Sequence, residues 1–137
     1  MTEQQPDNVA LLRASEPDEP ITRFLGMKLV ELGPGYAKVT MKLGPQHVNF
    51  NGLVFGGIIA AVADQAFAYA TNSLIQPSIA SQFNIHFIAG PKPNDELIGE
   101  CRVLKSGRRV GVSEMTVSTS DGKLVAKATG TTIPATH

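Results

Sequence analysis

Excess charge of either sign is missing from this sequence. Twelve Lys and Arg residues are matched by twelve Asp and Glu residues in a chain of 137. A balanced chain carries no field that would gather nucleic acid or an anionic membrane, so neither is expected as a partner. Cysteine is almost absent: Cys101 is the only one, which rules out an internal disulfide and suits a reducing compartment. The N-terminal stretch, MTEQQPDNVALLRASEPDEP, lacks the basic start and apolar centre of a secretory leader. Together these absences lead to the expectation of a cytoplasmic protein. Also missing are internal repeats, a His, Cys and acid spacing that suits a metal, and a Gly-x-Ser-x-Gly elbow around Ser113 or Ser118. Neither a metal nor a resident cofactor is expected. The length fits one domain, read as residues 21–137 behind a polar tail of residues 1–20 with one helical turn around Val9 to Arg13.

What is present is concentrated between Asn49 and Ser73, NFNGLVFGGIIAAVADQAFAYATNS. The stretch opens on a glycine-rich turn, Gly52, Gly56 and Gly57, and continues as an alanine-rich helix to about Ser73. Between Ile58 and Ala70 the ionisable side chains are Asp64 and Tyr69. A surface helix shows one apolar stripe and one polar face. This one is apolar nearly all round, which predicts a buried helix, and its apolar run is too short to span a bilayer. An isolated buried carboxylate requires a partner, a raised pKa or a chemical role.

Around the helix the chain reads as strands. Pro20 opens a short helix, Ile21 to Leu25, ended by Gly26. Two alternating runs flank Gly33-Pro34-Gly35 as a hairpin. Ser81, Phe83, Ile85 and Phe87 alternate with Gln82, Asn84 and His86 as a half-buried strand, with His86 on the outer side. Glu96 to Lys105, Arg109 to Thr119 and Lys123 to Ile133 complete the set, joined by turns at Ser106-Gly107 and Asp121-Gly122. Cys101, within a strand, reads as core. His47 borders a loop. Five or six strands and one long helix predict an α+β architecture, an antiparallel sheet wrapped round the helix. Its open side and sheet edges invite a second copy.

The glycine turn and the helix offer chemistry. Free N–H groups at a helix start can polarise a carbonyl, and glycine permits close backbone approach. The same pair also serves as ordinary turn chemistry. Asp64 can act as general base or nucleophile, or as a structural acid. Asn49 can orient a carbonyl or a water, or hold the turn. Gly57 and Asp64 are seven residues apart, roughly 10 Å of helix rise. An attacking atom must approach its carbonyl to within about 3.5 Å. One helix therefore cannot present both groups to one substrate; two antiparallel helices can.

The stretch resembles the hotdog-fold thioesterases, in particular the PaaI-like acyl-CoA thioesterases. Their pattern, Asn-x-x-Gly-x-x-His-Gly-Gly with Asp seven residues after the last glycine, is matched by Asn49, Gly52, Gly56, Gly57 and Asp64. The pieces SQFNIHFIAGP, ELIGECRVLKSGRRVGVSEMTV and DGKLVAKATGT are similar to the family's strands. The resemblance implies a five-stranded sheet wrapped round one central helix, a dimer and often a tetramer of two dimers. It also implies hydrolysis of acyl-CoA to free acid and coenzyme A. It gives Asp64 the role of base or nucleophile and the Gly57 N–H that of polarising the carbonyl, with Asn49 assisting. Gly107, Arg108 and Arg109 would lie near coenzyme A, and Ser81 would supply an assisting hydroxyl. One departure stands out: Phe55 occupies the family's histidine position, which favours, as a second reading, a non-catalytic acyl-CoA binding or sensing module. A hydratase of the same fold is disfavoured, because no histidine falls on the helix.

Overall fold

A computed structural model describes residues 7–135, so the notional tail residue Pro6 and the terminal His137 lie outside the described residues. Helix α1 spans Asn8–Ser15, followed by a single 3-10 turn, Glu16–Asp18. Helix α2 spans Pro20–Leu25 and central helix α3 spans Gly56–Asn72. The strands are β1 (Met27–Gly33), β2 (Tyr36–Lys42), β3 (Ser78–Phe87), β4 (Glu96–Ser106), β5 (Gly111–Thr119) and β6 (Leu124–Pro134). They form one antiparallel sheet in the order β1-β2-β4-β5-β6-β3. This is the α+β hotdog arrangement, with six strands where the resemblance implies five. Among the described residues no helix is long and apolar enough to cross a membrane.

Local chemistry sets most boundaries. Pro20 starts α2, and Gly26 ends it in the left-handed region at φ 71°. Gly35, at φ 74°, turns the β1–β2 hairpin. Strand β5 begins at Gly111 rather than Arg109, because Arg108 and Arg109 belong to the turn closed by the Gly107 N–H to the Val110 carbonyl at 3.0 Å.

Helix α3 lies in the hollow of the sheet. Val62, Ala63, Ala66, Phe67 and Ala70 are sealed against Val39, Met41, Leu97, Cys101, Met115 and Val117. Each large side chain buried this way contributes about 1.5–3 kcal/mol. Close approach depends on two strand glycines. A methyl carbon at Gly99 would fall 2.8 Å from the Val62 carbonyl oxygen, and one at Gly130 would fall 2.5 Å from the Phe67 ring. Cys101 is core, as its place in a strand suggests, and burial pushes its thiol up to about 12.

Two features differ from the sequence reading. The helix is not buried all round: Gly57, Asp64 and Ala68 are exposed, along one side of α3 that the single chain leaves uncovered. Alanine and glycine read as apolar whether they face their own sheet or another molecule, so composition could not separate the two sides. The second difference is in the N-terminal stretch, where the helical turn expected around Val9 to Arg13 is present but belongs to a longer, packed segment. Residues 8–18 form α1 and the 3-10 turn and pack on the domain, with Leu12 buried. The Arg13 guanidinium donates to the Leu32 carbonyl at 3.1 Å, and the Glu16 carboxylate accepts the Leu29 N–H at 3.0 Å.

Candidate active site

The loop before α3 is built from its polar residues. Asn49 Oδ1 accepts the N–H of Asn51 at 2.9 Å and of Leu53 at 3.3 Å. Gly52 turns at φ 73°, and its N–H donates to the Asn49 carbonyl at 2.9 Å. His47 is buried: its Nδ1 accepts the Gly44 N–H at 2.9 Å, and its carbonyl accepts the Phe55 N–H at 2.8 Å. The carboxamide oxygen of Asn49 thus organises the loop that delivers Gly56 and Gly57 to the helix start.

Phe55 stands at the N-cap of α3 and has no side-chain capping bond. Its carbonyl accepts the Ile58 N–H at 3.0 Å, while the N–H groups of Gly56 and Gly57 fall in the first turn, where a helix supplies no acceptors. The Phe55 ring is half exposed and lies across Gly57, where a methyl carbon would fall 2.3 Å from its Cε2. The Phe87 ring rests against Gly56, where a methyl carbon would fall 3.3 Å from its Cζ. Two aromatic rings therefore frame the pair of glycines, of which Phe87 carries no motif that would mark it in the sequence.

Gly57, Ala60, Ala61, Asp64 and Phe83 line an open groove of about 370 Å³. Seven residues complete nearly two helical turns, so Gly57 and Asp64 share a face and stand roughly 10 Å apart along it. Asp64 is exposed to the groove but flanked by alanines and Phe83, and this loss of hydration raises its carboxyl pKa above the usual 3.8. Phe83 and Ile85 point inward from β3, and the Phe83 ring sits 6.2 Å from that of Phe67. Ser81 is the unpaired residue of a bulge in β3, exposed, with Oγ 3.3 Å from the Thr131 carbonyl. It does not line the groove of its own chain.

The Gly107–Arg109 turn lies at the far end of the helix. Gly107 shares a crevice with Thr71 and Ile75, and Arg108 and Arg109 are exposed. Thr71 is 14 residues beyond Gly57, roughly 20 Å along the axis. One chain therefore does not bring these residues to its own glycine turn.

A second polar cluster escapes sequence reasoning. Glu19 Oε1 accepts hydrogen bonds from Thr22 Oγ1, Gln65 Nε2 and, at 3.0 Å, Tyr69 Oη. Gln65 follows Asp64 directly, and Tyr69 lies one turn on. The available signal is the pairing of Gln65 and Tyr69 at i, i+4 on an otherwise apolar helix; the acceptor, 46 residues earlier, carries no pattern.

The chain is similar to known proteins in sequence and in fold. Residues 51–126 match the thioesterase superfamily model. Acyl-coenzyme A thioesterase PaaI of Escherichia coli K12 is 32% identical over 104 residues, 76% of this chain and 74% of that protein. The solved structure of the E. coli PaaI protein from the phenylacetic acid degradation operon superposes with a TM-score of 0.86 at 28% identity, covering 90% of each chain. A Streptococcus mutans UA159 protein solved bound to acetyl-CoA gives a TM-score of 0.76 at 27% identity, covering 80% of this chain and 88% of that one. With its family model spanning more than half its length, a long alignment to a relative and a sheet wrapped on one helix, this chain belongs to the thioesterase superfamily.

Proposed function

We propose that this chain hydrolyses acyl-coenzyme A thioesters at two equivalent sites on a homodimer. One observation carries the reading: Asp64 and the first-turn N–H groups of α3 line one open groove but stand too far apart to share a substrate. A second α3 lying antiparallel across the groove brings Asp64 of one subunit to Gly57 of the other, and twofold symmetry makes two such sites. The surroundings suit a second copy. Phe50, Leu53, Phe55, Phe87 and Ile79 are exposed, and β3 is a sheet edge with one neighbour.

The chemistry follows from the parts. The Gly57 N–H, aided by the helix dipole, holds the thioester oxygen as it gains charge. Asp64 either removes a proton from the attacking water or attacks the carbonyl carbon itself and is freed by water. The C–S bond breaks and coenzyme A leaves as its thiol. Gly56 and Gly52 keep the loop close to the substrate, Asn49 fixes its shape, and Phe55 excludes water beside the carbonyl. Ser81 adds a hydroxyl at the edge. The antiparallel pairing carries the partner's Gly107 turn toward this chain's helix start, where Arg108 and Arg109 suit coenzyme A phosphates. The E. coli acyl-CoA thioesterase relative and the acetyl-CoA-bound neighbour support this substrate class.

Phe55 in place of a polar residue favours the second reading, a module that binds acyl-CoA without cleaving it. Thiol release from a panel of short, medium, long and aryl acyl-CoAs separates the two. Hydrolysis is expected, with Asp64→Asn slower by at least about 100-fold, the scale of a lost positioned base. Tight acyl-CoA binding with no thiol release from any member would establish the binding module instead.

A further inference from the structure

The loop before α3 ends in a braced, projecting turn. Val48 bridges Val54, the Asn49 N–H donates to the Leu53 carbonyl at 2.7 Å, and Asn49 Oδ1 holds the Asn51 and Leu53 N–H groups. At the tip Phe50 is 96% exposed, and Leu53 beside it is 64% exposed. A bare aromatic ring on a preformed turn marks an interaction site. A hollow of about 480 Å³ lies between the N-terminal segment and the second half of α3. Its wall is mixed. Leu12, Ala68 and the Tyr69 ring supply apolar surface, while the Asp18 carboxylate and the Gln76 carboxamide line it without a hydrogen-bond partner among the described residues. An alkyl chain would leave those polar groups unmatched, and the carboxylates of Asp18 and Glu19 repel an anion. A protein turn that carries both a ring and an amide matches the whole wall. The hollow is also preformed. Arg13 and Glu16 fasten the N-terminal segment to β1, and Glu19 gathers Thr22, Gln65 and Tyr69.

We infer that this hollow is the socket for the turn of residues 49–53 of a second copy of the chain, with Phe50 as its anchor. The inference rests on the dimer proposed above and deepens it. The register follows from that pairing. With Asp64 opposite the partner's Gly57, Ala68 comes opposite the partner's Leu53, four residues along each chain, and Asn72 opposite the partner's Asn49, eight along. The Asn51 carboxamide, which has no partner in its own chain among the described residues, gains Asp18 and Gln76. The Phe50 ring gains Leu12, Ala68 and Tyr69. This turn leads directly into Gly56 and Gly57, so the N-terminal segment of one subunit steadies the polarising N–H that serves its own Asp64. Residues 8–19 lie outside the family-matched residues 51–126, so the brace is no part of the matched motif.

The test follows subunit exchange in the full chain, read by native mass spectrometry of ordinary and heavy-isotope-labelled protein, which needs no turnover. Phe50→Ala should speed exchange by at least about tenfold, since losing a buried interface anchor acts mainly on dissociation. Asn51→Asp sets a carboxylate against the partner's Asp18 and should speed exchange comparably. Adding Asp18→Lys to the same chain replaces repulsion with attraction and should return exchange to within about threefold of wild type. All three positions are exposed in the single chain, and Asn51 joins the turn through its backbone N–H, so far-ultraviolet circular dichroism should stay that of wild type. A folded Phe50→Ala dimer with unchanged exchange overturns the socket and leaves the two-site thioesterase standing; a raised KM for acyl-CoA in that dimer assigns the ring to substrate instead. Faster exchange in Asn51→Asp that Asp18→Lys fails to slow also overturns the socket, because the turn then rests elsewhere. Rescue by Asp18→Lys in a protein that releases no thiol from any acyl-CoA upholds the socket and overturns hydrolysis. A wild type that is monomeric at micromolar concentration overturns the socket and the dimer together.

Discussion

At Asp64 the neighbouring alanines and Phe83 withhold water from a carboxylate that is open on one side, and its pKa rises above 3.8. The direction fixes the sign of the pH dependence. A carboxyl whose folded pKa is raised binds its proton more tightly in the folded state, so ionising it costs stability. That cost is absent well below 3.8, where the group is protonated in both states, and complete once the pH has passed the raised value. Asp64→Asn should therefore melt higher than wild type at pH 7, and the difference should vanish as the pH falls below about 4. Differential scanning calorimetry across that range checks it; a constant difference at all pH values would contradict the assignment. The same substitution should abolish most turnover, so one residue is expected to trade stability for chemistry. Phe55 gives a companion case. Its ring is half exposed and lies over Gly57 rather than in the core. Within the single chain the Phe55 ring fills no core space, so Phe55→His should cost less than losing a buried ring, about 3 kcal/mol. It should move the pH–rate profile or the preferred acyl group, because in the proposed dimer a polar ring rehydrates the space beside the partner's Asp64. A large loss of Tm with an unchanged profile would refute this.

At the scale of elements, the seating of α3 on the sheet is set by backbone proximity. A glycine in a strand is usually improved by alanine, which reduces the freedom of the unfolded chain. Gly99 should behave oppositely. A methyl group there meets the Val62 carbonyl oxygen at 2.8 Å, part of the helix backbone, which cannot rotate aside. Gly99→Ala should cost about 1–3 kcal/mol by forcing helix and sheet apart. Gly33, with nothing within 4 Å of the same position, is the matched control, and Gly33→Ala should leave the midpoint of urea unfolding close to wild type. Elements governed by neighbours in sequence are legible in the sequence. Pro20 and Gly26 bracket α2, Gly35 marks the first hairpin, and the Gly57–Asp64 spacing returns two residues to one helix face. Elements governed by distant partners are not. The fixed placement of α1 depends on Leu12 and on carboxylates whose partners are 13 to 50 residues away. The position of the Gly107 turn at the opposite end of α3 from Gly57 depends on sheet order, which no local pattern encodes.

For the whole molecule, the proposed function has each chain hold two half-sites, Gly57 and Asp64 in one groove, and complete neither. This separates an interfacial site from a site within one subunit by mixing. Take Asp64→Asn, which keeps a functional Gly57, and Gly57→Pro, which removes the polarising N–H but keeps Asp64. Proline is tolerated in the first turn of a helix, and the Phe55 ring that a new side chain meets at Gly57 is half exposed and can turn away. Each variant alone should be nearly inactive. In a mixed dimer, one site carries both lesions and the other pairs an intact Asp64 with an intact Gly57. Unfolding the two together in equal amounts and refolding should place half the subunits in mixed dimers with one working site of two, so total activity should recover to about a quarter of wild type for random pairing. Light scattering should give at least a dimer for the mixture and for both parents at micromolar concentration. Were the two groups used within one chain, every chain in the mixture would still carry a lesion, and no activity would return at any ratio of the two variants.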